Sequence, residues 1–248
     1  MAAQAGVELF CLTDHDTCDG YPATVGHCPQ VLRGLELSCA EDGRTVHLLL
    51  YDAARDDVRW QRLEVRLSEL REARKERLWA IAGRLATLGI HVDIGAIIAS
   101  AGRRAVGRPD IAQALVASGA VASPREAFDR LLSDTGKAFV PLARLSLRDG
   151  LQLGLESGAK VSLAHPHTLG ARATDLIASH RRHGLEGLEC YYGGYGHRQR
   201  RRWLALARRL DMVVTGGSDY HGPQRGPSDR VGIELPREHA ERLCEWLS

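Results

Sequence analysis

The 248-residue sequence is short of several things, and each shortage narrows what the chain can be. Aromatic residues make up only 5% of it, too few for the stacked platforms that bind single-stranded nucleic acid without regard to sequence. Formal net charge is only +2, so no strong electrostatic bias toward nucleic acid or membrane is built into the composition. No apolar run approaches the length of a membrane span. The N-terminus, MAAQAGVELF, has no basic n-region, so a secretory signal is not expected. None of the six cysteines forms a CxxC pair; Cys11, Cys18, Cys28, Cys39, Cys190 and Cys244 read as free thiols of a cytoplasmic protein. Neither repeats nor low-complexity segments interrupt the chain.

What is present is ordinary globular material, 44% hydrophobic and 26% charged, enough for a sizeable core. Short, near-continuous apolar runs at Val7–Leu12, Val31–Leu37, Val46–Tyr51, Lys160–Ala164, Gly187–Tyr192 and Met212–Thr215 predict buried strands, with Ile233–Leu235 as a further candidate. Helical patterns separate many of them, which favours a parallel α/β sheet or barrel. The middle of the chain differs. Leu63, Leu67, Leu70, Leu78, Ile81, Leu85 and Leu88 share one helical face, with Gly89 placed to end that helix. Ser123, Pro124 and Glu126 open another helix as N-cap, N1 and N3, and Ser146 opens a third that stops at Gly158. The expected organisation is a discontinuous α/β core, residues 1–55 and 159–248, with a helical insertion over 56–158.

Ionisable side chains stand at or near the strand ends: His15 after Val7–Thr13, Glu36, His47, His165, Glu189, and Asp219 with His221. In parallel α/β folds the carboxyl ends of strands converge on one face, where sites form. Imidazoles and carboxylates gathered there repel or desolvate one another unless a cation joins them, and this donor set suits zinc, manganese or iron. Each motif alone is weak, and a single buried histidine such as His47 is more often a hydrogen-bonded core residue. Their ordered joint occurrence is what carries the argument.

That ordered set, LTDHDT, GLELS, VHLLLYD, AHP, GLECYY and TGGSDYHG, resembles the PHP (polymerase and histidinol phosphatase) family of metal-dependent phosphoesterases. Within it, the likeness is to the bacterial branch that hydrolyses 3',5'-nucleoside bisphosphates and related small nucleotides. It covers nearly the whole chain, including GRPDIAQALV and GKAFVP in the insertion. The resemblance implies a distorted (β/α)7 barrel with up to three metals at its carboxyl face. It implies His15, Glu36, His47, His165, Asp219 and His221 as metal ligands, with Glu36 bridging two metals, and Asp14 behind His15. Arg108 and Lys137 resemble insertion residues that meet the substrate phosphate. Asp110 stands where that branch usually has histidine, a departure that bears on the substrate.

The family also begins with a strand ending in His-x-His, ahead of the TDHD motif by one strand and one helix. Only fourteen residues precede His15 here, so that first strand is expected to be absent from this sequence. A start placed at an internal Met and a genuinely shortened protein of weak activity compete as explanations; the retained ligands favour the first.

The expected activity is hydrolysis of a phosphate monoester of a small nucleotide, or of a short RNA end, by metal-activated hydroxide. His197 and His167 are candidate proton donors to the leaving alcohol. The alternative is a noncatalytic, degenerate PHP-like binding module. An amidohydrolase-like C–N hydrolase is less well matched, because no lysine stands at a strand end to bridge metals. The helix over GHRQRRRWLALARRL reads as a solvated basic face on an outer helix, or as an attractor for a polyanionic substrate such as an RNA end. Neither a membrane nor a protein partner is indicated.

Overall fold

The first strands form because β-branched and leucine-rich runs supply side chains for both faces of a covered sheet. The computed structural model describes residues 1–102, 106–141, 145–222 and 227–248. Its sheet begins with β1 (Leu9–Leu12), which runs parallel to β2 (Gln30–Glu41). Strand β2 turns directly into β3 (Arg44–Tyr51), and the two pair antiparallel. The turn residues Asp42 and Gly43 both have positive φ, 48° and 77°, as a two-residue hairpin loop requires. Strand β4 (Leu145–Ser146) adds a two-residue parallel pairing to β2. Strand β5 (Lys160–Leu163) lies antiparallel to β3, and β6 (Gly187–Tyr192) and β7 (Val213–Gly217) follow in parallel. The hydrogen-bonded path is β1-β2-β3-β5-β6-β7.

The α/β class agrees with the expectation, but the sheet is mixed rather than parallel throughout. The Asp42–Gly43 hairpin reverses β3, where an all-parallel barrel would need a crossover helix. The segment Ile233–Leu235 forms no strand; it is irregular and ends at Pro236, which opens the C-terminal helix. The other five strand runs and β1 fall within a few residues of the expected spans.

The chain divides into two compact units, Met1–Glu64 with Arg144–Ser248, and Val65–Ala143. In the first, the sheet has one apolar face built from Leu32, Leu49, Tyr51, Ala164 and Val213, with Leu9 and Cys11 packed against them. This cluster joins side chains of β1 to one of β7, the two ends of the hydrogen-bonded path, so the sheet curls as a half-barrel around it. The other face of β2 and β3 carries Leu35, Leu37, Leu48 and Leu50, all fully buried. Helix α1 spans Asp57–Thr87 and runs from the first unit into the second. In the second unit come α2 (Ile94–Ala101), α3 (Arg108–Ala117) and α4 (Pro124–Ala127), the last continuing into a π turn at Phe128–Leu132. Their core includes Leu78, Ile81, Leu85, Ile94, Ile111 and Leu115. Of the stripe read from the sequence, Leu63, Leu67, Leu78, Ile81 and Leu85 are buried, whereas Leu88 lies beyond the last turn and is exposed. Ser123 and Ser146 cap their helices as expected, accepting the N–H groups of Glu126 and Asp149.

Helix α5 (Leu147–Glu156) lies against β2, β3 and β5, and glycine makes that closeness possible. A Cβ on Gly154 would stand 2.9 Å from Val161 Cγ2. Helices α6 (Ala173–Arg181), α7 (His197–Arg209) and α8 (Arg237–Leu247) complete this unit. The basic helix read from the sequence is α7; it buries Trp203, Leu206 and Ala207 while Arg200 and Arg202 lie over the rings of Tyr191 and Trp203. No helix among the described residues is long and apolar enough to cross a membrane.

The tightest backbone contact in the sheet is at Gly34, where a Cβ would meet Cys11 Sγ and stand 2.6 Å from the Leu50 carbonyl oxygen. One of those neighbours is backbone and cannot rotate away. Gly34→Ala is therefore expected to destabilise the chain by about 2–3 kcal/mol, read as a lower urea midpoint at unchanged m-value. A midpoint equal to that of the parent chain would refute this packing.

Candidate metal centre

The site forms where β1 and β5 end and β3 begins, with Glu36 of β2 between β1 and β3. After β1 the chain continues through Thr13 and Asp14 to His15, which makes an isolated parallel bridge to Glu36. Two backbone bonds fasten this extension: Glu36 N–H donates to the Asp14 carbonyl at 3.0 Å, and Asp16 N–H to the Glu36 carbonyl at 2.9 Å. His15 is thereby set beside Glu36. On the other side of Glu36, the antiparallel register pairs Ser38 with His47, two residues along β2. Because β3 runs backwards, a residue near its start stands at the end of the sheet where the parallel strands finish. His47 thus joins a site made otherwise from strand carboxyl ends. His165 follows β5, with Ala164 N–H donating to the His47 carbonyl at 3.0 Å.

The side chains converge on one carboxylate. His47 Nδ1 lies 2.9 Å and His165 Nε2 3.0 Å from Glu36 Oε1, and His15 Nδ1 lies 3.6 Å from Glu36 Oε2. The His47 Nδ1 and His165 Nε2 atoms are only 3.1 Å apart. Glu36 is buried, while the His15 side chain is 40% exposed and is the outermost of the set. Burial pushes the Glu36 carboxyl up, but hydrogen bonds from His165 and His47 outweigh that and hold it well below the usual carboxylate range. Burial lowers His15, more than the nearby Glu36 charge raises it. For His165 the balance reverses: burial lowers it, and the hydrogen bond and charge of Glu36 carry it above an ordinary imidazole.

One donor atom each from His15, Glu36 and His47 lie within 4.8 Å of one another, the spacing of ligands around a single ion. Imidazole nitrogens and a carboxylate oxygen are the donors that zinc, manganese and iron accept. With two ring nitrogens pointing at one another and at one oxygen, the set fits a divalent cation. Asp219 and His221 stand further along. His221 Nδ1 is 2.9 Å from the Asp219 carbonyl, and the His15 and His221 rings are 6.3 Å apart. Asp219 has φ of 48°, Asp16 of 54° and His165 of 27°, so three site residues occupy the left-handed region. Such strain persists only where surrounding contacts impose it.

Those contacts come from residues the sequence reading did not assign. Asp16 is 1% exposed, and its Oδ1 accepts the Ser38 N–H at 2.7 Å, tying the His15 loop to β2. Glu189 is buried on β6, and its Oε2 accepts the His165 N–H at 2.6 Å. Tyr192 donates its hydroxyl to Asp219 Oδ2 at 2.9 Å. Asp16 could have been found as the charged residue directly after His15 in TDHDT; Tyr192 carries no comparable signal. Asp14, assigned to stand behind His15, is half-buried; burial raises its carboxyl, partly offset by the charges of His15 and His221.

The two insertion residues are placed as follows. Arg108 Nη1 donates to the Leu132 carbonyl at 2.8 Å and pairs with Asp134 at 2.9 Å, its guanidinium near the rings of Phe128 and Phe139. Lys137 is exposed. Asp110 accepts the Gly107 N–H at 2.8 Å at the start of α3, the reach-back half of a capping box. Lys160 opens β5, far from its carboxyl end, and lies 3.7 Å from Glu186.

A phosphoribosyl 1,2-cyclic phosphate 1,2-diphosphodiesterase of Eggerthella lenta is 30% identical over 243 residues, covering 95% of this chain and 90% of that protein. The chain belongs to the PHP family of metal-dependent phosphoesterases. A 3',5'-nucleoside bisphosphate phosphatase of Chromobacterium violaceum is 27% identical, covering 92% of this PHP chain and 82% of its own length. A 5'-3' exoribonuclease of Haemophilus influenzae is 26% identical over 88% of this chain and 81% of its own length. Among solved structures, one assigned as a metal-dependent phosphoesterase from Bifidobacterium adolescentis superposes with a TM-score of 0.73 at 26% identity, covering 98% of this chain and 87% of that one. No protein-family model matches the chain.

Burial pushes the Glu189 carboxyl up to about 8, against the lowering effect of the His165 N–H. In metal-free protein Glu189 therefore holds a proton, between about pH 4.5 and 8, that the unfolded chain has released. Its contribution to stability is full below about pH 4.5 and is lost as pH rises through about 8. The expected loss is on the order of a few kcal/mol. Glu189→Gln keeps an acceptor for His165 and removes the titration. After chelator treatment, the Glu189→Gln variant should show a flatter dependence of melting temperature on pH across that window than the parent; parallel curves would count against a protonated Glu189.

Proposed function

We propose that the chain hydrolyses a phosphate monoester of a small nucleotide, with a 3',5'-nucleoside bisphosphate as the first candidate and a short RNA 5' end as the second. The observation that carries this reading is the convergence of His15, His47 and His165 on Glu36 at one end of the sheet. The named activities of the relatives support the substrate class: one acts on a nucleoside bisphosphate, one is an exoribonuclease, and one acts on a cyclic phosphate of a ribosyl compound.

His15, Glu36, His47 and His165 would hold the metal, with Asp219 and His221 extending the site, and manganese, zinc and iron are the candidate ions. When bound, divalent ions lower the pKa of a coordinated water and offset charge on the phosphoryl oxygens. The chain's own residues do the rest. Glu36 stays ionised among the imidazoles and so presents an oxygen to more than one neighbour at once. Asp16 and Glu189 hold the His15 loop and the His165 backbone in their left-handed geometry. Arg108 and Lys137 are proposed as phosphate-facing cations; for Arg108 this requires exchanging the exposed Asp134 carboxylate for substrate.

The test is phosphate release from a panel of 3',5'-nucleoside bisphosphates, 5'-phosphorylated di- and trinucleotides and a generic aryl phosphate, with manganese or zinc supplied. Turnover should favour the bisphosphates and vanish with a chelator. Glu36→Gln should lose bound metal by elemental analysis and lower kcat/KM by at least about 100-fold, the scale of losing metal-centred charge stabilisation. Metal bound at full occupancy with no turnover on any phosphate ester would instead favour the noncatalytic module.

A further inference from the structure

His167, a candidate proton donor from the sequence, forms with Tyr195 a unit beside the Glu36 cluster. His167 follows His165 by two residues, and Pro166 between them is buried at the first position of a short 3-10 turn, Pro166–Arg172. The imidazole of His167 is exposed, with its ring centre 6.2 Å from that of His165. It lies 5.2 Å from the Tyr192 ring and 5.3 Å from the Tyr195 ring. Tyr192 and Tyr195 are both buried and stand 4.9 Å apart, so the exposed ring rests on a fixed aromatic floor.

The hydrogen bonds select one tautomer. The Tyr195 hydroxyl accepts the backbone N–H of His167 at 3.3 Å and lies 3.0 Å from His167 Nδ1. Tyr195 is 6% exposed, and among the described residues its hydroxyl has no hydrogen-bond acceptor besides His167 Nδ1. If Nδ1 carried the imidazole proton, the buried phenolic proton would have nowhere to go, at the cost of an unsatisfied polar group. The consistent arrangement has the phenol donating to Nδ1. The imidazole proton then sits on Nε2, which has no partner among the described residues and belongs to an exposed side chain.

We propose that His167, locked by Tyr195 as the Nε2–H tautomer, is a substrate-binding residue that donates a hydrogen bond to a phosphoryl oxygen of the ester held at the metal centre. The inference rests on the phosphoesterase reading. A neutral donor complements the metals without adding a charge, and it works by position, which the Tyr195 hydroxyl and the Tyr192 ring supply. Tyr195 is a positioning residue: it touches His167 and not the substrate.

The first readout needs no turnover. In zinc-loaded protein labelled with nitrogen-15 at histidine, His167 should show a protonated Nε2 and an unprotonated Nδ1, its signals identified by their loss in His167→Ala. Adding inorganic phosphate should shift the Nε2 signal. In Tyr195→Phe the tautomer preference should relax toward a mixture, with the fold checked by thermal melting. The second readout is kinetic. His167→Ala should lower kcat/KM for a 3',5'-nucleoside bisphosphate by about 10- to 100-fold, the value of one hydrogen bond to a charged group, at unchanged metal content. His167→Gln, whose amide N–H can reach the place of Nε2–H, should recover part of that loss. A proton found on Nδ1, an Nε2 signal unmoved by phosphate, or parent-like kinetics in His167→Ala would each overturn the proposal. Absence of turnover in the parent chain would sink the phosphoesterase substrate reading, while the tautomer and phosphate titration would still decide the role of His167.

Discussion

Everything at the site depends on one buried carboxylate surrounded by imidazoles. Glu36 has His47 and His165 within 3.0 Å of one oxygen and His15 within 3.6 Å of the other. A lone buried carboxylate takes up a proton; this one is kept ionised because its neighbours donate to it. The same constraint organises the sheet around it. The β2 segment carrying Glu36 must have partners on both sides that end at the same level, and those partners are the extension of β1 and the start of β3.

The reversal of β3 is what reconciles the histidine positions. Were β3 parallel to β2, a histidine near its start would lie at the wrong end of the sheet, about 20 Å from Glu36 for a strand of this length. The two-residue Asp42–Gly43 hairpin removes that difficulty, and β5 then pairs antiparallel to β3, returning the remaining strands to the direction of β1 and β2. Behind the histidines and Glu36 stand residues that hold the loops and side chains of the site in place. Asp16 ties the first loop to β2, Glu189 secures His165, and Tyr192 engages Asp219. Such outer partners fix the orientation of the ligands in front of them.

Much of this was legible in the chain. Buried strands announce themselves as near-continuous apolar runs, so β2, β3, β5, β6 and β7 could be placed to within a few residues. Serine caps at Ser123 and Ser146 were legible because a cap is a local hydrogen bond, made within three residues of the side chain that forms it. Ile233–Leu235 misled because three apolar residues are too few to distinguish a strand from a chain crossing an apolar face; Leu235 does pack against the sheet's core, but without a ladder. The hairpin was legible in principle, since Asp-Gly between two apolar runs is a hairpin signal, but the alternation of strands with helices elsewhere argued for parallel pairing.

By itself, then, the sequence determined the α/β class, the strand-end histidines and carboxylates, and the membership of the PHP family, since these depend on local pattern and ordered motifs. Only the tertiary structure decided the direction of β3, the convergence on Glu36, and the parts played by Asp16, Glu189, Tyr192 and Tyr195. Each of those is a contact between residues distant in the chain. Tyr195 meets His167 across 28 residues, and His165 meets Glu36 across 129. Spacing along a chain says which side chains share a helix or strand face; it does not say which faces the fold will bring within 3 Å of one another.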